Sequence, residues 1–233
     1  MKNYNKSSED ISFVAVGSLN PLIFHPEWFL RHGFITKEET EQAEIEIVHA
    51  DVCRFKTSWF LLEVVQTRLV LRITNESRAD DLRDMICNIF NVLGETPVAA
   101  IGLNREMRYS CVNEEVWHLV GNTLAPKDTW LRALPGREEK EVGMRSVEIE
   151  LQRSDELKGH IRVNVFPSNY PPNQEVTFKI NDHIQINDPV SFDKSIQDNP
   201  DVKVSEIVAG QWDIFLKTAT DLVDALLSEI QNG

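Results

Sequence analysis

Apolar and polar residues alternate at every second position in several stretches of this chain, and each set of such stretches is followed by an amphipathic helix. In "SVEIELQ" (146–152) Val147, Ile149 and Leu151 share one side, and Glu148 and Glu150 the other. In "HIRVNVF" (160–166) Ile161, Val163 and Val165 oppose His160, Arg162 and Asn164. A third stretch, beginning near Glu175, carries Val176, Phe178, Ile180, Asp182, Ile184 and Ile186 on its even positions. Strand side chains alternate between faces, so each stretch predicts a strand with one face in the core and one in solvent. A long helix is expected from about Ser205 to Ile230.

The first half repeats this order. "AEIEIVH" (43–49) and "RLVLRIT" (68–74) alternate, while "SWFLLEVV" (58–65) is mostly apolar and reads as a strand buried on both faces. The helix expected over 78–93 gathers Leu82, Met85, Ile86, Ile89, Phe90 and Leu93 on one face. Ser77 is placed to cap its start and Gly94 to end it. Upstream, "DISFVAVG" (10–17) predicts a strand and "HPEWFLRHG" (25–33) one or two helical turns, and Thr36 and Glu39 have capping-box spacing. Between the halves, "PVAAIGL" (97–103) predicts a strand continuing through "REMRYSC", then a short helix started by Asn113. The expected fold is α+β: duplicated β-β-β-α units over 1–95 and 96–233, joined in one compact unit, with mainly antiparallel sheet and a long C-terminal helix. In each half an acidic strand face precedes a basic one, which suits cross-strand pairing.

Charge narrows the function classes. The formal net charge is −13 over 233 residues, whereas nucleic-acid binding relies on Lys and Arg displacing counterions. A nucleic-acid role would fall to Arg105, Arg108, Arg132 and Arg137 in the central segment, and it is a minority reading. No apolar run approaches the ~20 residues that span a bilayer, and the polar start "MKNYNKSSED" lacks the order of a signal peptide. The cytoplasm is the expected compartment. Cys53, Cys87 and Cys111 are odd in number and far apart, without disulfide or zinc spacing.

The material of a catalytic site is concentrated in "INDHIQIND" (180–188). Strand alternation sends Asp182 and His183 to opposite faces, so the two cannot act together. Asp182 then interrupts an apolar face, and the expectation is a bend where it accepts backbone N–H bonds, with "NDP" (187–189) as the closing turn. The six histidines show no i, i+4 pair on a helix, and no phosphate loop or nucleophile elbow is present. "PDVK" (200–203) matches half of a metal-nuclease signature, but in a polar loop. No catalytic residue, metal or cofactor is expected; an enzyme of unfamiliar type would have to use Asp182, His183 and His118.

The C-terminal helix carries Val208, Trp212, Phe215, Ala219, Leu222 and Leu226 in steps of four and three, a stripe for the core. A second set, Leu216, Val223, Leu227 and Ile230, widens the apolar face and is expected to meet a second copy or another protein. The expected function is a non-catalytic protein-interaction module, a self-associating adaptor, sensor or regulatory subunit.

"IGLNREMRYS" (101–110), "NEEVWHLVGNTLAPKDTW" (113–130), "GHIRVNVFPS" (159–168) and "INDHIQI" (180–186) carry a family resemblance. Trp117, Gly121, Leu124, Ala125, Pro126, Lys127 and Trp130 are its most distinctive run. The chain resembles a family of small, sporadically distributed bacterial proteins. The resemblance implies a compact α+β protein from variable gene clusters, where phage-defence and other accessory genes also occur, and it supplies no catalytic residues.

Overall fold

The computed structural model describes residues 3–73, 75–170, 172–187 and 203–232. Asp188 and Pro189 of the expected closing turn, and Asp201 of the nuclease-like pair, lie outside the described residues.

In the first unit, β1 (Tyr4–Gly17) leads into the short helices α1 (Pro26–Arg31) and α2 (Lys37–Glu41). Then come β2 (Glu44–Val48), β3 (Val52–Lys56), β4 (Leu61–Val65), β5 (Arg68–Ile73) and α3 (Ala79–Val92). The second unit repeats the plan with β6 (Val98–Cys111), α4 (Glu114–Leu124), α5 (Lys127–Ala133), β7 (Val147–Gln152), β8 (Gly159–Asn169), β9 (Glu175–Gln185) and α6 (Val204–Asn232).

The nine strands of the described residues form one antiparallel sheet in the order β2-β3-β4-β5-β1-β6-β9-β8-β7. Read outward from the centre, β1-β5-β4-β3 corresponds to β6-β9-β8-β7, which is the duplication in spatial form. The units are joined where β1 pairs with β6, from Tyr4↔Cys111 to Gly17↔Val98. Among the described residues β2 has no counterpart: it pairs with the outer side of β3, while β7 ends the sheet.

The helices α3 and α6 pack together over one face of this sheet. That face holds the core, including Ile11, Phe13, Leu69, Leu71, Leu103, Phe178 and Ile184 from the strands and Leu82, Ile86, Ile89 and Trp212 from the helices. Among the described residues no helix covers the opposite face. β4 shows this most clearly, because Leu62 and Val64 are buried while Leu61, Glu63 and Val65 remain partly exposed. Its expected two-sided burial is therefore corrected.

Local signals behaved as their chemistry requires. Thr36 and Glu39 form the reciprocal capping box, and Asn113 Oδ1 accepts from the Val116 N–H at 2.9 Å. At α3 the cap differs from expectation: Asn75 accepts from the Ser77 N–H at 3.1 Å and starts a 3-10 turn that feeds the helix. The strand β3 was missed by the sequence reading, and its Arg54 and Lys56 are the basic partners of β2.

Gly159 opens β8 at φ +143°, and a Cβ there would lie 1.9 Å from the His183 carbonyl oxygen. Both backbone strain and a backbone clash oppose any side chain. Gly159→Ala should cost on the order of 2–3 kcal/mol in urea denaturation; an unchanged midpoint would contradict the β8–β9 register.

Candidate functional site

Asp182 lies within β9, paired to Leu103 on one side and Ile161 on the other, with no bend. It is buried beneath α6, and its partner is Arg153. The same guanidinium donates to Asp155 Oδ1 at 2.9 Å and to Gln211 Oε1 at 3.0 Å. Burial pushes the Asp182 carboxyl above its ordinary range, against the opposing hydrogen bond and charge of Arg153. An acid held this way fixes the 153–155 loop and α6 to the sheet. The expected bend is thus corrected to a buried ion pair.

His183 faces the uncovered side of the sheet. It stacks on His160, its cross-strand partner, with ring centroids 4.8 Å apart. Burial lowers the His183 imidazole below its ordinary value, and the neighbouring His160 adds to this. His118 sits elsewhere, exposed on α4, 3.3 Å from Glu114. It lines a cleft of about 930 Å³ with Trp117, Lys127 and Tyr170. Trp117 Nε1 donates to the Glu175 carbonyl, seven residues from Asp182 on β9, or about 23 Å of extended chain. The three candidate catalytic side chains are therefore kept apart. Among the described residues, no group of three or more His, Cys, Asp or Glu is placed to hold a metal ion.

The four arginines of the nucleic-acid reading are also dispersed. Arg105 is buried: its Nε donates to Glu9 Oε1 at 2.6 Å, and its Nη1 bonds Thr220 Oγ1 at 2.6 Å and the Leu216 carbonyl on α6. Arg108 pairs with Glu106 at 2.8 Å and Arg137 lies 3.8 Å from Glu141, while Arg132 is exposed on α5. Burial works to raise the Glu9 carboxyl, but hydrogen bonding with Glu76, Arg105 and Lys6 outweighs it and holds Glu9 down at about 2.

The uncovered sheet face is polar and internally neutralised. Arg72 pairs with Asp10 at 2.6 Å, Lys179 with Glu106 at 3.0 Å and Arg162 with Glu150 at 2.9 Å, around an Asn181–Asn104 hydrogen bond of 2.7 Å. Its shallow trough of about 470 Å³ holds matched charges rather than a convergent reactive set.

On α6 the structure buries Val223, Leu227 and Ile230 in the chain's own core and leaves Leu216 half-buried. Beyond Ala219 the buried line continues through these residues, and Leu222 and Leu226 flank it. The set expected to meet a partner is therefore used internally. Exposed apolar side chains lie instead on both terminal strands, Ile45 and Ile47 of β2 being 57% and 42% exposed. Ile149 and Leu151 of β7 point to the helix-covered side, yet are 52% and 41% exposed. The cross-strand partner of Leu151, Ile161, lines a groove of about 140 Å³ with Ile214 of α6, itself 57% exposed.

The equivalent place in the first unit is filled. There Phe55 of β3 is fully buried, and Phe29, Phe34 and Phe60 pack around it, with Phe29–Phe55 ring centroids 5.5 Å apart. Sequence alternation assigned Ile149 and Leu151 to the correct face but carried no sign that this end of the sheet lacks an aromatic cover. The available signal was compositional: "HPEWFLRHGF" (25–34) has three aromatic residues, Trp28, Phe29 and Phe34, in the first unit's helical insert, while the second unit's longer insert has only Trp117 and Trp130.

Compared with known protein families and with curated proteins, the chain matches none. Among the described residues no helix is long and apolar enough to cross a membrane.

Two measurements check this placement. Leu227→Ala and Ile230→Ala should each lose about 2–4 kcal/mol of stability, as core truncations do, and leave the mass in solution unchanged; a change of mass without loss of stability would return these residues to an interface. Glu9 binds its proton more weakly folded than unfolded, so its stabilising contribution is present above pH 4.5 and is lost as pH falls toward 2. Glu9→Gln should flatten that part of the stability–pH curve, and an unaltered curve would count against the network.

Proposed function

We propose that this chain is a non-catalytic protein-interaction module, an adaptor or regulatory subunit that works by holding another protein. The observation that carries this reading is the exposure of Ile149 and Leu151 on the sheet face that is buried across the inner strands, an exposure shared by Ile45 on the other terminal strand. Two large aliphatic side chains, with Ile214 nearby, form an apolar shelf at the end of the sheet, and Trp130 and Leu134 of the same unit are also exposed. Apolar surface concentrated in this way favours association, because covering it removes it from water at about 25 cal/mol per Å².

The reactive groups support the same reading by their restraint. Asp182 is held by Arg153, and Glu9 by Arg105 and Lys6. Groups held in this way position helices and strands, whereas a general base needs an unshared lone pair within reach of a substrate.

The test is affinity purification from the native cell with quantitative mass spectrometry, comparing the natural chain with Ile149→Asp/Leu151→Asp. A protein enriched at least tenfold by the natural chain should be lost from the double variant and retained by His183→Ala, with all three chains melting alike. Identical sets of co-purifying proteins on both columns would sink this reading.

A further inference from the structure

We propose that the outer edge of β7 takes up an extended segment of a different protein as a tenth strand, and that this segment alternates apolar residues with Lys or Arg. The proposal rests on the interaction-module reading and names the partner's chemistry.

The duplication shows what belongs at this edge. β3 and β7 occupy equivalent positions in the two units, and the outer side of β3 is completed by β2. Among the described residues nothing pairs with the outer side of β7. An edge strand presents a row of backbone donors and acceptors, so the second unit keeps an unfilled set where the first has a strand.

The β2–β3 pair also supplies the rule for side chains. On the uncovered face Glu44 of β2 meets Lys56 at 2.8 Å and Glu46 meets Arg54 at 3.4 Å. Acidic strand and basic strand lie side by side. β7 presents the acidic member, Glu148 and Glu150, so its missing neighbour must supply the basic one. The inner neighbour already follows this rule, since Arg162 of β8 lies 2.9 Å from Glu150. On the other face, apolar residues of the guest would cover Ile149 and Leu151.

Charge disfavours a second copy at this edge. If two β7 strands pair with Ile149 opposite Ile149, Glu148 of each faces Glu150 of the other. With Ile149 opposite Leu151, the two Glu150 residues coincide. β2 of another copy would bring Glu44 and Glu46 against the same carboxylates. Like charges directly opposite each other oppose pairing.

Binding of fluorescent ten-residue peptides to the full chain, followed by anisotropy, tests the proposal. A peptide alternating Val and Arg should bind at least tenfold more tightly than one alternating Val and Glu, and than the Val/Arg peptide with a central proline. Hydrogen exchange should show the β7 amides slowed when the Val/Arg peptide is bound. Glu148→Lys/Glu150→Lys should reverse the preference between the two charged peptides. If that variant does not fold, Glu148→Gln/Glu150→Gln should reduce the preference at least fivefold. Equal binding of the three peptides by the natural chain, or binding without protection of β7, would overturn the proposal. If the peptides fail while Ile149→Asp/Leu151→Asp still loses its co-purifying protein, only the strand chemistry falls. If neither experiment responds to β7, the module reading falls with it.

Discussion

The pairing of β1 with β6 is the contact on which the rest of the molecule depends. Two fourteen-residue strands run antiparallel from Tyr4↔Cys111 to Gly17↔Val98 and make one sheet of two units. Without that seam each unit would expose a further sheet edge, and α3 and α6 would have no common floor. The buried Arg105–Glu9 pair lies across the same seam and ties it to α6 through Thr220 and the Leu216 carbonyl. Strand pairing, charge pairing and helix packing therefore act on the same few residues. A break in one would weaken the others, as expected for residues that share partners.

The two buried acids solve the same physical problem with different outcomes. Glu9 is surrounded by Arg105 and Lys6, and its charged form is favoured despite burial. Asp182 shares Arg153 with Asp155, and burial dominates. Buried ion pairs contribute less to net stability than their Coulomb attraction suggests, since desolvation opposes it. Their value here is geometric: each specifies which strand residue lies under which turn of α6.

Much of the fold was legible because β-strand and helix periods are imposed by backbone geometry. Opposite placement of Asp182 and His183 follows from alternation alone, and the α3 stripe from its three- and four-residue spacing. β3 was harder, because "VCRFK" is only five residues long and follows directly on a polar turn. The partner of Asp182 was not legible at all, since Arg153 lies 29 residues away in a loop. For α6, a stripe drawn through Leu222 and Leu226 sent Val223, Leu227 and Ile230 to the outside. On a helix with 3.6 residues per turn, a fixed choice of alternate threes and fours drifts off the buried line within several turns. The exposed shelf at Ile149 and Leu151 depends on what another segment fails to cover, and local pattern holds no record of that.

A sheet with two free rims could in principle grow end to end, each molecule adding to the last until a fibre forms. Rims of opposite sign would invite that concatenation. Here both terminal strands carry glutamates, Glu44 and Glu46 at one limit and Glu148 and Glu150 at the other. Crowding many copies on one scaffold would thus raise their local concentration without seeding polymerisation along the strand-pairing direction.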